Sequence, residues 1–218
     1  MDPATVHRLV KAIEAKDLST AAHTWRVVLY SRAMLEAVRA DQATIRAVTQ
    51  GAALHDVGKI DIPSAILTKP DRLTAAEFAV IQQHPVTGYA RMVAMDVEDQ
   101  HILDLIRFHH ERWDGLGYPY GLKDGEIPLV ARYFAVIDAF DAMTSVRPYR
   151  HEVGEQAAAN ALVELRNGAG TRYDPDAVRL FADLFERGSL TWILNYFNDG
   201  TPIPDFTPDE SAVALIGP

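Results

Sequence analysis

Apolar residues recur every three or four positions along most of this chain, and no segment alternates convincingly with a period of two. That pattern dictates helices that each bury one stripe, and it argues against a sheet. Val6, Leu9, Val10 and Ile13 form such a stripe over residues 3–16. A second helix is expected over 20–38 through Val27, Val28, Met34, Leu35 and Val38. A third is expected over 44–57, closed by Gly58 as the left-handed residue past a helix end. Pro63 opens a short turn or helix. Thr74 and Glu77 have the spacing of a capping box, starting a helix that runs to about His84, where Pro85 breaks the ladder and can begin the next one. Further helices are expected over 99–110, 128–144, 154–166 and 174–186, the last with Asp174 as its cap and Pro175 first. Residues 111–127, ERWDGLGYPYGLKDGEI, carry four glycines and a proline and predict a structured loop. A loop that long inside a compact domain is usually functional.

The chemistry open to such a helical chain is narrowed by what it lacks. With no cysteine among 218 residues, disulfides, iron–sulfur clusters and thiolate zinc sites are excluded, so any metal must be held by imidazole and carboxylate. The formal net charge is −9, which disfavours duplex nucleic acid as a partner. An anionic substrate would have to meet local positive charge or metal ions. The N-terminus is amphipathic and charged rather than a leader, and no apolar run of about 18 residues could cross a membrane. The expectation is a soluble, cytoplasmic protein with no membrane partner.

Eight histidines are present. A lone helical histidine is more often a surface or satisfied core residue than a ligand, but their arrangement here is unusual. His55-Asp56 is an imidazole–carboxylate pair at the end of a buried helix, followed at once by Gly58-Lys59. His109-His110 ends another helix and opens the glycine-rich loop, and His84 sits at a helix break. Asp138 and Asp141 lie three apart on one face of an otherwise apolar helix with Phe134, Val136, Ile137 and Phe140. Carboxylates in that setting need a cation or a partner; the alternative to a metal is pairing with Arg132 or Arg147. His23, beside Thr24, Trp25 and Arg26, carries no weight alone.

Read together, HDVGK at 55–59, IDIP at 60–63, LTKPDRLTAAE at 67–77, His84, HHERWDGLGYPYGL at 109–122 and IPLVARYFAVIDAFDAMTSVRPYR at 127–150 resemble the HD-GYP family of bacterial signalling phosphodiesterases. The likeness covers about residues 17–185. It implies an all-α, HD-superfamily helical bundle with a glycine-rich GYP loop, divided as an N-terminal helix (1–16), a phosphodiesterase domain (17–187) and a C-terminal tail (188–218) with an apolar patch, TWILNYF, and a loosely ordered Pro/Asp-rich end. The N-terminal stripe packs on the domain in preference to pairing two protomers, and the oligomeric state is left open.

The resemblance further implies metal ligands at His23, His55, Asp56, His84, His109, His110 and Asp138, with Asp56 as the bridging carboxylate. Members with three metals use a glutamate four residues before the first histidine. Ser19 stands there in this chain, so two divalent ions are expected, iron or manganese first, with zinc or cobalt as alternatives. The implied reaction is attack on phosphorus by a hydroxide activated between the two ions. Lys59 is expected to contact phosphate or assist the leaving oxygen, its alternative being a solvated loop lysine. Asp141 resembles a position that orients the water or Lys59. Arg147 and Arg150 resemble phosphate- and guanine-contacting residues, and Tyr118 would line the pocket or touch substrate. Gly115, Gly117 and Pro119 shape the loop, which is also a candidate protein-partner surface. Glu111 and Asp114 support the histidines or the loop itself, whereas His7, His101 and His151 match no ligand position.

The substrate implied is cyclic di-GMP, cleaved to linear pGpG and/or GMP. One alternative is another cyclic dinucleotide, cyclic GMP–AMP; a second is a non-catalytic module that senses the nucleotide or engages a protein. The complete ligand set favours an enzyme. A nucleoside triphosphate or alarmone hydrolase has no claim on the GYP and RPYR segments. About 16 residues precede the motif region, which suits a stand-alone enzyme or a fragment of a sensor.

Overall fold

The computed structural model describes residues 1–17, 21–145, 155–197, 205–206 and 208. Among them the regular elements are all helical, and the only β pairings are isolated bridges, Asp114–Lys123 and Ala169–Tyr173. The fold is all-α, as the periodicity requires.

Helix α1 (Pro3–Asp17) is followed by α2 (Ala21–Ala37) and α3 (Gln42–Leu54). Asp41 starts α3 by accepting from the backbone N–H groups of Ala43 and Thr44, each at 2.9 Å, which satisfies amides that a helix start leaves without partners. A stretch of 3-10 helix (Val57–Asp61) and the short α4 (Ser64–Leu67) come next. The capping box forms as spaced: Glu77 N–H donates to Thr74 Oγ1 at 3.2 Å, and Thr74 N–H donates to Glu77 Oε2 at 2.7 Å, opening α5 (Ala75–Ile81). Helix α6 (His84–Ala94) has Pro85 in its first turn, and α7 (Gln100–Phe108) is capped by Asp99. Beyond the glycine-rich loop lie α8 (Leu129–Thr144), α9 (Glu155–Gly168), α10 (Pro175–Glu186) and α11 (Thr191–Tyr196).

Helices α2 and α8 form the centre. Helix α2 packs on α3 and α8, α3 packs on α7, α6 packs on α7 and the 3-10 stretch, and α9 and α10 cover α8. Both central helices are apolar on more than one side because both are buried on more than one side. Tyr30 of α2 meets Phe140 and Phe181 edge-on at 5.8 and 5.6 Å. The expected α1 stripe is buried through Val6, Val10 and Ile13, against α3 and the 3-10 stretch.

The tail is described only in part, and one expectation needs correction. The tail is tied down where it is described: Leu190, Ile193 and Phe197 join the core, and so does Phe206 from the Pro/Asp-rich end. Trp25 of α2 is the reason, stacking on Phe197 at 5.4 Å and meeting Phe206 edge-on at 5.0 Å. Large aromatic area supplies the burial that holds these residues against α2; most of the Pro/Asp-rich end lies outside the described residues.

Gly58 is not a left-handed helix terminator. Helix α3 ends at Leu54, and the left-handed glycines among the described residues are Gly115, Gly121, Gly170 and Gly188. Gly58 is required by close approach instead, since a Cβ there would lie 2.0 Å from the His84 carbonyl oxygen and 2.7 Å from Gly88 N. Gly58→Ala is therefore expected to destabilise the chain by roughly 1–3 kcal/mol, the usual range for overfilling a packed site, seen as a lower thermal midpoint. Metal retained per chain should fall with it, because the backbone that must move carries His84.

Candidate metal centre

Three histidines occupy the same kind of position. His55 and His109 are the C-cap residues of α3 and α7, and His84 follows the end of α5. Each places its Nδ1 against the carbonyl three residues back: Ala52 at 2.8 Å, Ile81 at 2.7 Å and Ile106 at 2.9 Å. Carbonyls at a helix end lack intrahelical partners, so each takes the Nδ1 proton. That choice of tautomer turns all three Nε2 atoms inward, those of His84 and His109 as bare lone pairs, a common way to orient metal-binding imidazoles.

The inward nitrogens converge. His84 Nε2 and His109 Nε2 are 3.2 Å apart, two acceptors facing each other with no proton of their own to share. Asp56 points its two oxygens in different directions, with Oδ2 3.1 Å from His55 Nε2 and Oδ1 3.3 Å from His84 Nε2. Two triads result, His23–His55–Asp56 and His84–His109–His110, each with candidate ligand atoms within 4.8 Å of one another. Opposed lone pairs are repulsive unless a cation lies between them, so this donor set fits metal ions. Six of the seven expected ligands are brought together in this way. Asp138 lines a cleft with His109 and His110 but belongs to neither triad, and its carboxylate makes no hydrogen bond or ion pair with a described residue.

Electrostatics keep the second triad neutral. Burial is the main influence lowering His84, His109 and His110; the neighbouring imidazoles push His109 well below the usual histidine range, and His110 falls to about 3. Burial also disfavours charge on His55, yet Asp56 overrides it and lifts that group to about 9. Asp56 is held well below the carboxylate range by His55 and Lys59, against the opposing effect of its own burial. Lys59 Nζ donates to Asp56 Oδ2 at 2.9 Å, so it faces the centre and is not a free loop lysine.

Asp141 is placed beside His23 rather than Lys59. Its Oδ2 is 2.8 Å from His23 Nδ1, and both its oxygens are held by the Arg26 guanidinium. Arg26 also donates to Ser145 Oγ at 2.7 Å and to the Phe197 carbonyl at 2.6 Å. Burial opposes a charged Asp141, but Arg26, then His23, keeps its carboxyl far below the ordinary range. Arg26 went unrecognised in the sequence, although a charge inside the apolar run of α2 was the same signal that singled out Asp138 and Asp141. Arg132, offered as a partner for those aspartates, pairs with Asp174 at 2.9 Å instead.

The loop is pinned from within. Glu111 accepts from the backbone N–H of Tyr120 at 2.8 Å and of Leu122 at 3.0 Å, while Asp114 pairs with Arg112. Glu111 and Asp114 thus serve the loop itself. Gly117 lies so close to the preceding chain that a Cβ would be 2.3 Å from Arg112 N. This brings Tyr118 onto His110, ring centroids 4.7 Å apart. Arg147, Arg150, His151 and Ser19 lie outside the described residues. His7 bonds to the Phe206 carbonyl at 2.8 Å, and His101 is exposed, so neither joins the centre.

A family model described as HD domain matches residues 9–177. The chain belongs to the HD family, in its HD-GYP branch. The HD-GYP chain is 37% identical over 172 residues to a "Cyclic di-GMP phosphodiesterase" of Thermotoga maritima, covering 78% of this chain and 46% of that protein. It is 32% identical over 183 residues to a "3'3'-cGAMP-specific phosphodiesterase 2" of Vibrio cholerae, covering 82% of this chain and 34% of that one. It therefore spans less than half the length of either relative. A solved structure of an HDG"Y"P protein from Bdellovibrio bacteriovorus superposes with a TM-score of 0.60 at 22% identity, over 77% of this chain and 53% of that chain, which establishes the shared fold. No helix among the described residues is long and apolar enough to cross a membrane.

Proposed function

We propose that this HD-GYP chain is a metal-dependent phosphodiesterase that hydrolyses cyclic di-GMP to linear pGpG and/or GMP. The observation that carries the reading is the Asp56 carboxylate, set between the His23–His55 pair and the His84–His109–His110 triad with one oxygen toward each. His23, His55 and Asp56 would hold one ion and His84, His109 and His110 the other, with Asp56 shared and Asp138 reaching in from the cleft. When bound, a pair of divalent ions supplies Lewis acidity toward a phosphodiester and acidifies water for attack. Imidazole and carboxylate donors without thiolate suit iron or manganese, with zinc and cobalt the alternatives.

The protein's own groups have separable tasks. Lys59 keeps Asp56 ionised and aimed, and its ammonium, 2.9 Å from the shared carboxylate, is a cation for a phosphate oxygen to meet. Tyr118 stays a neutral phenol because burial, aided by Asp56, pushes its ionisation upward, so it can donate a hydrogen bond to substrate. Asp141 orients His23. Arg147 and Arg150 remain the proposed contacts to phosphate and guanine, and the GYP loop a proposed partner surface.

The relative specific for 3'3'-cGAMP, at 32% identity, gives cyclic GMP–AMP a standing as second substrate. One sample tests both readings: metal per chain by elemental analysis, with turnover of cyclic di-GMP and cyclic GMP–AMP measured with manganese and with reduced iron. About two metals per chain with release of pGpG or GMP is expected. Bound metal without turnover of either nucleotide would remove the substrate assignment, and a folded, metal-free, inert chain would remove the enzyme.

A further inference from the structure

The cleft that contains His109, His110 and Asp138 has a volume of about 360 Å³, and its outer wall is built from Phe78, Gln82, Tyr118, Arg172 and Tyr173. That size sits at the low end for small-molecule sites, roughly 300–1,000 Å³, and suits one nucleotide half of a larger ligand. The wall is aromatic with two polar tips. Tyr118 is backed by His110 and met edge-on by Phe78 at 6.4 Å. Phe78 itself is 46% exposed at the rim, an apolar ring with a face to offer a flat ligand.

Two arginines line this cleft, and they differ in how they are held. Arg112 is clamped by both oxygens of Asp114, at 3.0 and 2.6 Å. Arg172 reaches only one oxygen of Glu164, at 3.4 Å, with both side chains substantially exposed. Its guanidinium stands over the Tyr173 ring at 5.5 Å. Its backbone is fixed, because Trp113 N–H donates to the Arg172 carbonyl at 3.3 Å and Asp114 N–H to the Thr171 carbonyl at 2.8 Å. The fork is thus carried on an anchored turn while its donors are weakly engaged. Guanine presents two acceptors, O6 and N7, that an arginine fork takes together, whereas adenine presents one acceptor and one donor.

We infer that Arg172 is a base-selecting residue: it reads the O6 and N7 edge of a guanine held in this cleft against the Phe78 and Tyr118 rings. The inference rests on the cyclic-dinucleotide reading above. It names a residue on the turn between α9 and α10, apart from the RPYR segment.

The test compares wild type, Arg172→Ala and Arg172→Gln on cyclic di-GMP and on its all-adenine counterpart, cyclic di-AMP. kcat/KM is measured, or an inhibition constant where a nucleotide is not turned over, with metal per chain checked in each sample. Arg172→Ala is expected to lower the preference for guanine over adenine roughly 10- to 100-fold, chiefly through KM. Arg172→Gln should lower it further, because a carboxamide matches the N6 and N7 edge of adenine. Equal losses on both nucleotides would make Arg172 a phosphate contact and overturn the inference, as would no change on either. A wild type that cleaves the base-free diester bis(p-nitrophenyl) phosphate but neither binds nor cleaves any cyclic dinucleotide would sink the substrate reading and this inference with it. A wild type active on cyclic di-GMP with an unaltered preference in both variants would sink this inference alone.

Discussion

Asp56→Ala is expected to abolish turnover and to strip metal from both triads at once. The reason is positional: one carboxylate lies 3.1 Å from His55 and 3.3 Å from His84, so its loss removes a donor from each half of the centre. Losing a group that merely supports a ligand already costs about 10- to 100-fold in metal affinity or activity, and loss of the shared ligand should exceed that. Lys59 would then face the cluster without the Asp56 carboxylate to offset its charge, adding cationic repulsion to the site. Elemental analysis and turnover on the same preparation check the result. Two metals per chain with undiminished activity would refute the shared-carboxylate arrangement. Asp56→Asn is the informative companion, since it keeps the shape and removes the charge.

Arg26→Ala is expected to destabilise the chain as much as truncating a large core side chain. Arg26 and Asp141 are each about 1% exposed, and removing the guanidinium leaves a buried carboxylate with His23 and Ser145 as its remaining described side-chain partners. Breaking a buried pair by deleting one member typically costs about 3–5 kcal/mol, which lowers the thermal midpoint of a chain this size by on the order of 10 °C. The Phe197 carbonyl loses a donor as well, loosening the tail from α2. Metal should leave the His23 triad first, because Asp141 holds His23 Nδ1.

The pH dependence has a definite sign. In the wild type the Asp141 carboxyl is depressed below its unfolded value of about 3.8, so the folded state binds this proton less tightly than the unfolded state does. Its contribution is fully present above that unfolded value and fades as the pH falls toward the folded one. Without Arg26 the burial effect is no longer offset to the same extent, and protonation of Asp141 relieves part of the penalty. The stability gap between wild type and Arg26→Ala should therefore narrow as pH is lowered below about 4. Denaturant melts across that range would show it, and a constant gap would mean the guanidinium acts through packing rather than charge.

The parts of the site that were legible in the sequence are those made by neighbours in the chain. The Thr74–Glu77 box, the Pro85 break and the Asp174 cap are local contests between side chain and backbone, settled within four residues. His55, His84 and His109 belong with them in part, since a histidine at a helix end can give its Nδ1 proton to the carbonyl three residues back in any context. Adjacent ligand pairs at such ends were visible for that reason, and the resemblance to a family then supplied the full ligand set. Gly58 shows the limit of local reading: its place after a helix suggested a terminator, whereas its lack of a side chain serves the approach of α6.

What the sequence by itself determined was the all-helical class, most helix starts and the donor chemistry left to a chain without cysteine, because period, caps and composition act over a few residues. The tertiary structure alone decided that Arg26 neutralises Asp141 across 115 positions, that Trp25 packs on Phe206, and that Arg172 shares a cleft with His109. Those pairings join segments far apart in the chain. A buried charge announces that it needs a partner, but only the packing of α2 against α8 and the tail says which partner it meets.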